Sequence, residues 1–503
     1  MGQTTTTGDN TPLPEFPQLL GHPRPLWMLF MAEFWERFAF YGMRWALTLY
    51  IVSQFFGGDE AGQASASRTY GAYLALVYAT AVFGGYIADK VIGYQRSILL
   101  GAVVMAAGLF MVMVPNHEVF MLGLATVIVG NGLFKPNISS MVGQLYAPGD
   151  SRRDRGFTLF YMGINAGALI APILTSYLAE QVFGTPQQDN YPVVFAASAV
   201  GMLISLVWFW FGRRQLGDIG RPAPEIASKA RVVYVALGVL VAIPLVYLLM
   251  DRAGAVVIQW LLTLLFVGVG AMLVIEAMRS GKVQVQRVIA MLIIFAFNVL
   301  FWMFFEQAGS SFNFLAQNIV ERNILGGWEF PIGWFQSVNP VAIVLLAPLV
   351  TLIWAWLDKR RIEPSIPRKF GLGLIGNALG FAVLMYALNS LVGSDGMIPL
   401  WTLVLCYVLQ TAGELCLSPI GLSMVTKLAP VSLVGLGMGG WFLSTAIGNN
   451  LAGLFAGHIS GKSGMTVDSA LSGYTFGFWI LLGGGVFLFL IAPLINKLMH
   501  GVR

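Results

Sequence analysis

Residues 31–44, MAEFWERFAFYGMR, run from Met31 to Arg44 and set Glu33, Glu36, Arg37 and Arg44 inside a stretch that otherwise reads as a membrane helix. At roughly 100° per residue, Glu33, Glu36, Arg37, Phe40, Tyr41 and Arg44 share an arc of about 140°, and Phe34, Trp35, Phe38 and Ala39 project from the other side. A charge at the bilayer centre costs about 3 kcal/mol on insertion scales, so such residues face a bundle interior or a watery cavity and pair with one another. The first helix is therefore expected to be one wall of a polar site.

The surrounding composition supports a membrane setting. Of 503 residues, 57% are hydrophobic and 11% charged, against about 25% charged in soluble domains. A net charge of +5 follows from Lys and Arg concentrated in cytoplasmic loops, so no nucleic-acid partner is implied and membrane lipid is the surroundings. Cys406 and Cys416 lie ten residues apart in one apolar run, about 15 Å along a helix, too far for a disulfide. Residues 1–20 lack a basic segment and cleavage site, which predicts that the first helix itself directs insertion. His22, His117, His458 and His500 show no ligand spacing, and no Walker A sequence is present; neither a metal site nor ATP as energy source is expected. The pattern Gly371, Gly373, Gly376 and its repeat Gly435, Gly437, Gly440 open apolar spans with no preceding strand, so they read as helix-packing positions and not as a dinucleotide fingerprint.

A span needs about 20 apolar residues, and that ruler gives roughly fourteen, among them 288–320 and 397–427 as continuous crossings. The long polar segment 213–231 divides the chain after six spans. Two short helices with few ionisable residues follow, about 232–250 and 255–278, and six more spans come after them. The expected organisation is a cytoplasmic N-terminal tail (1–26), an N-terminal six-helix bundle (27–212), a cytoplasmic linker (213–231), an inserted transmembrane hairpin (232–280), a C-terminal six-helix bundle (281–500) and a short tail (501–503). Two such halves enclosing a midplane site are common among transporters. With both termini in the cytoplasm, about 22 of the 29 Lys and Arg residues fall on the inner side, a strong positive-inside bias.

Between the second and third spans lies GGYIADKVIGYQR, Gly84 to Arg96. Gly84, Gly85, Asp89, Gly93 and Arg96 resemble the loop signature of the major facilitator superfamily, and Asp89 and Arg96 are expected to latch helix ends as a gating loop. Glu33, Glu36, Arg37 and Phe38 reproduce an ExxERF motif, FYMGINAGAL carries Phe160, Tyr161, Ile164, Asn165 and Gly167, and GNGLFKPN carries Lys135. Together these resemble the proton-coupled oligopeptide transporter family, bacterial type, over essentially the whole chain. The resemblance implies an all-α polytopic membrane protein with the major facilitator fold and fourteen transmembrane helices, a non-enzymatic monomer in the inner membrane. It also implies symport of di- and tripeptides with protons, and no cofactor beyond the coupling proton.

Carried over residue by residue, the resemblance makes Arg37, Arg44 and Lys135 the contacts for the peptide carboxylate, with Tyr41, Tyr78 and Asn165 beside them. Trp302, Asn339, Glu414, Ser418 and Trp441 are the second-half contacts, and Glu33, Glu36, Arg37, Lys135 and Glu306 the proton-coupling set. Phe40 stands where the family usually has tyrosine, and Ala168 where serine is frequent. The residues point the same way: a basic first half faces Glu306 and Glu414 in the second, which suits a zwitterion such as a free di- or tripeptide spanning up to about 7 to 11 Å. Coupling requires carboxylates that exchange cationic partners between states. A facilitator for another small organic solute or drug would share the fold and the loop motif. An intramembrane enzyme would need a nucleophile with its base, or a metal cluster, and the sequence offers neither.

The charge bias predicts that cysteines introduced at Thr4 and Val502, in a background without Cys406 and Cys416, resist an impermeant thiol reagent in intact cells. Labelling of both would reverse the topology.

Overall fold

The computed structural model describes residues 16–147, 150, 152–185, 188–224, 227–324 and 326–502. Of the N-terminal tail, Gln18–Leu19 pairs with His22–Pro23 as a two-residue hairpin before the first helix. His22 Nδ1 lies 2.8 Å from the Tyr146 hydroxyl, and Arg152 donates to the Gln18 side chain and the Gly21 carbonyl. Hydrogen bonds from Arg152 hold the Asp150 carboxyl down at about 2, so this pair stays ionised throughout the neutral range.

Long helices dominate: α1 (Arg24–Phe55), α2 (Gln63–Ile87), α3 (Tyr94–Val112), α4 (His117–Gln144), α5 (Arg153–Tyr177) and α6 (Tyr191–Gly212). Next come α7 (Lys229–Leu248), α8 (Gly254–Ser280), α9 (Lys282–Phe305), α10 (Ser311–Asn318), α11 (Ile332–Lys359) and α12 (Ile366–Ser390). The last four are α13 (Leu400–Leu415), α14 (Ser418–Leu428), α15 (Val434–Ser460) and α16 (Val467–Met499). Twelve segments among the described residues are long and apolar enough to cross a membrane, where the sequence count gives fourteen. Two features account for the difference. Segment Lys229–Ser280 takes α7 and α8 together, and α1 is not among the twelve because its buried charges and their polar neighbours lower its hydropathy.

Two further departures concern helix continuity. The expected span 288–320 is interrupted between α9 and α10 by the tighter turn Glu306–Gly309, and 397–427 breaks between α13 and α14 at Cys416 and Leu417. Pro419 causes the second break, because it has no N–H to donate and its ring clashes with the carbonyl four residues back. At the first, Gly309 is required: a Cβ there would sit 1.8 Å from the Tyr70 hydroxyl.

Helix contacts sort into two sets. In the first, α1 packs on α5 and α6, α3 on α4 and α6, and α2 on α4; in the second, α12 packs on α13 and α16, α15 on α9, and α11 on α13. The sets meet along α2 with α15 and along α5 with α11. Backbones touch at the first of these seams, where a Cβ on Gly71 would lie 2.7 Å from the Gly453 Cα; small residues permit such approach where lipid supplies no hydrophobic drive between helices. The seam end remote from the termini is closed by hydrogen bonds from Asn313 to the Trp45 carbonyl (2.8 Å), from Asn318 to Glu60 (2.9 Å) and from the Ile332 amide to Glu180 (3.2 Å).

The α7–α8 pair, free of ionisable residues over most of its length, reads from sequence as an accessory. It packs across both sets, α7 on α4 and α8 on α9, α15 and α2. Asn450 of α15 donates to the Ala255 carbonyl (2.8 Å) and to Gln259 Oε1 (3.0 Å), so amides and a backbone carbonyl supply the polar tie that charge patterning could not reveal. In the Gly84–Arg96 loop the two charged residues find separate partners. Asp89 accepts from the Tyr94 hydroxyl at 2.6 Å and Arg96 donates to the Ala227 carbonyl at 3.0 Å; Arg96 thus anchors the segment ahead of α7.

Candidate functional site

The charged arc of α1 faces the bundle interior, with Glu33, Glu36 and Arg37 all buried. Arg37 holds Glu36 in a two-pronged pair, Nε to Oε2 at 2.5 Å and Nη2 to Oε1 at 2.6 Å. Adjacent residues achieve this because both side chains curl to one side of the same turn. Asn131 of α4 adds a third bond, donating to Glu36 Oε1 at 3.1 Å. Glu33 lies one turn earlier and makes a single, longer contact to Arg37 Nε at 3.5 Å, while its Oε2 has no hydrogen-bond partner among the described residues. Two carboxylates therefore share one guanidinium, and Glu33 is the less committed of them.

Two turns beyond Arg37, Arg44 donates to the Tyr70 hydroxyl at 2.6 Å and pairs with Glu306. This pair crosses between the two helix sets, from the middle of α1 to the turn that interrupts the α9–α10 span. The break is what positions Glu306: it sits at the C-terminal cap of α9. Tyr41 lies between the two arginines, its ring centroid 5.9 Å from the Arg37 guanidinium carbon and 5.6 Å from that of Arg44. Phe40 is 4.8 Å from the same carbon of Arg37. Its ring packs against a cation, a contact that needs no hydroxyl.

Lys135 behaves differently from the neighbouring arginines. It has no carboxylate within 4.0 Å among the described residues, and its ammonium stands 4.5 Å from the Tyr78 ring centroid. Such contacts are worth about 0.5 to 2 kcal/mol, the upper figure when desolvated, less than a buried ion pair gains in electrostatic terms. The ion pairs of Glu33 and Glu36 thus go to Arg37 and not to Lys135.

The second wall is built on the other interruption. Glu414 ends α13 just before the Cys416–Leu417 break, and Asn339 of α11 donates to its Oε2 and to the Thr411 hydroxyl, both at 2.9 Å. Pro340 follows Asn339 within α11. No cation pairs with Glu414 among the described residues. Tyr41, Arg44 and Ala168 line one side of a narrow central pocket; Phe305, Asn339, Gln410 and Thr411 line the other.

The remaining sequence candidates take supporting positions. Trp302 donates to Asn298 at 3.0 Å, and Asn298 donates in turn to Ser444 and Thr445 of α15. Asn165 bonds back to the Tyr161 carbonyl at 2.9 Å. Trp441 is buried between Phe295 and Phe370, and Ser418 Oγ is buried with no partner among the described residues. None of these four lines the central pocket. Tyr70, Asn131, Asn298, Gln410 and Thr411 belong to the network although no single-helix spacing marks them; each is polar within an apolar span, which was the signal available.

These features define a polytopic, all-helical membrane transporter whose polar centre lies between two sets of helices. The POT family model matches residues 95–464, and the chain belongs to the POT family of peptide transporters; it is not an enzyme. It is 35% identical to "Peptide transporter YePEPT" of Yersinia enterocolitica subsp. palearctica, covering 99% of this chain and 98% of the relative. Dipeptide and tripeptide permease B of Salmonella typhimurium is 34% identical over 87% of each chain. An uncharacterized transporter, YclF of Bacillus subtilis, is 35% identical over 96% of each. Among solved structures, a peptide transporter POT in complex with sulfate superposes with a TM-score of 0.81 at 33% identity, covering 96% of this chain and 97% of that one. A POT family transporter in complex with 5-aminolevulinic acid gives 0.81 at 30% identity, covering 95% and 98%.

Removing the Tyr70 hydroxyl deprives a buried Arg44 N–H of its acceptor, at about 1 to 3 kcal/mol. Tyr50 also has a buried hydroxyl, but one without a partner among the described residues. Thermal unfolding in detergent should therefore show a clear loss for Tyr70→Phe and none, or a gain, for Tyr50→Phe. Equal losses would contradict the assignment of Tyr70 to Arg44.

Proposed function

We propose that this protein is a symporter that imports di- and tripeptides together with protons by alternating access across the bacterial inner membrane. It acts as a monomer of fourteen transmembrane helices with both termini in the cytoplasm. The helix count takes the twelve apolar segments, divides α7 from α8 at the chain reversal before Gly254, and adds α1. The halves are read as 27–212 and 281–500, with 213–231 as linker and 232–280 as the inserted hairpin. The closed seam remote from the termini then faces outward.

The observation that carries the proposal is the opposition of charge across the pocket, with Arg44 on one wall and Asn339, tied to Glu414, on the other. A peptide places its carboxylate toward Arg37, Arg44 and Lys135 and its ammonium toward Glu414. Lys135, held only by an aromatic face, gives up little in turning to a carboxylate. The relatives, dipeptide and tripeptide permeases among them, support the substrate class.

Charge balance suggests how the proton enters. Glu33, Glu36, Glu306 and Glu414 oppose Arg37, Arg44 and Lys135, four acids against three bases. A zwitterionic peptide adds no net charge, so one proton brings the loaded site to neutrality, the state that crosses a low-dielectric barrier at least cost. Of the acids that pair with an arginine, Glu33 accepts a proton with the smallest loss of ion pairing. Protonation of Glu306 instead releases Arg44 and with it the tie between the two sets. Protonation of Glu306 frees the Arg44 guanidinium for the peptide carboxylate, protonation of Glu33 leaves Arg37 to Glu36 alone, and rocking about the α2–α15 and α5–α11 seams then exposes peptide and proton to the other side.

A second reading, transport of a small non-peptide zwitterion, draws on the relative in complex with 5-aminolevulinic acid. Inhibition of uptake by excess dipeptide separates the two.

Charge-assisted hydrogen bonds contribute about 1.5 to 3 kcal/mol, so Glu414→Ala should weaken binding of a free dipeptide roughly 10- to 100-fold. An N-acetylated dipeptide should bind poorly to the parent and lose far less on mutation. The cycle of two ligands and two proteins isolates the coupling; equal losses for both ligands would show that Glu414 does not read the amino terminus.

A further inference from the structure

Outside the central site, an apolar groove on the surface runs between the start of α1 and the end of α6. It has a volume of about 600 Å³, and its lining includes Met28, Val200, Leu203, Val207, Trp208 and Phe211. The α6 members recur every three or four residues, which places them in one stripe along the helix. From Val200 to Phe211 that stripe is about 16 Å long, enough to cross about half of a hydrocarbon core of about 30 Å.

The groove exists because Gly212 leaves room for Met28: a Cβ on Gly212 would lie 2.3 Å from the Met28 Cγ. The indole of Trp208 donates to the Met28 carbonyl at 3.1 Å and fixes the floor. At the end carrying the termini the apolar stripe stops abruptly. Arg214 continues it one turn beyond Phe211, in the short turn Arg213–Leu216 that packs on α1, and Arg24 stands one turn before Met28 on the same face of α1. Both arginines are exposed, and no carboxylate pairs with either among the described residues.

We propose that this groove is a binding site for an anionic phospholipid, its acyl chain along α6 and its phosphate between Arg24 and Arg214. The occupant is set by two complementarities: an apolar channel of leaflet depth in a lipid-facing wall, and, at its polar mouth, positive charge that no carboxylate pairs among the described residues. Basic pockets at helix ends on the membrane surface recognise anionic head groups in this way. A soluble anion would find the arginines but nothing for the groove, and an uncharged lipid the reverse. The site is remote from the transported solute's pocket, so it does not depend on which solute is carried.

The test is native mass spectrometry of the full chain released from bilayers containing equal phosphatidylglycerol and phosphatidylcholine. Two arginines near a membrane surface give a preference of roughly 30-fold, so the parent should retain one phosphatidylglycerol. Arg24→Gln with Arg214→Gln should remove the preference, and Leu203→Trp, which fills the groove while leaving both arginines, should reduce retention of the lipid. Arg279→Gln, at an exposed site on α8, should change neither. Equal retention of the two lipids by the parent, an unchanged preference in the double variant, or displacement of the bound lipid by inorganic phosphate would each overturn the proposal.

Discussion

The structure depends on the cost of placing ionised groups inside a membrane helix. Glu33, Glu36, Arg37 and Arg44 lie on one face of α1, and each must find compensation that no lipid-facing position supplies. Arg37 is answered within α1 by Glu36 and Glu33, and α4 supports Glu36 through Asn131, whereas Arg44 is answered from the second helix set by Glu306. One helix is thereby joined to both walls of the pocket, by contacts that a proton or a ligand carboxylate can exchange.

The two acids that the second set brings to the site, Glu306 and Glu414, lie at or beside helix interruptions, and this follows from the same constraint. A broken helix has backbone groups without intrahelical partners, tolerated at membrane depth only where they are buried in protein or line a cavity. Glu306 lies in the turn ending at Gly309, and Glu414 lies just before the break imposed by Pro419. The polar interior that accommodates the broken backbone is also the place where a carboxylate can be held. Asn339 then holds Glu414 by a hydrogen bond that leaves its charge in place, and no cation pairs with that acid among the described residues.

Much of this was legible in the sequence because charge is rare in spans. The arc of α1, Lys135 on α4, Glu306 and Glu414 stood out against apolar surroundings, and the long polar segment 213–231 marked the division of the chain. Pairings were not legible. Which carboxylate takes Arg37, that Arg44 rather than Lys135 crosses to Glu306, and that Lys135 rests on Tyr78 depend on helix rotation and spacing, which periodicity in a single helix leaves open. Hydropathy also ran through both helix breaks, since a window average registers apolar content and not a missing hydrogen bond; Pro419 was the one local sign. Asp89 and Arg96 suggested a latch by charge alone, while the structure satisfies them with a tyrosine hydroxyl and a backbone carbonyl.

The central claim is that the shared carboxylates and guanidiniums of the pocket tie peptide binding to a proton. Uptake of a labelled dipeptide into proteoliposomes, with and without an inwardly directed acid gradient, tests it most directly. Accumulation above the external concentration only when the gradient is present, abolished by Lys135→Ala while peptide exchange persists, is the predicted result. Uptake that merely equilibrates whatever the gradient, or gradient-driven accumulation unchanged in Lys135→Ala, would contradict the account.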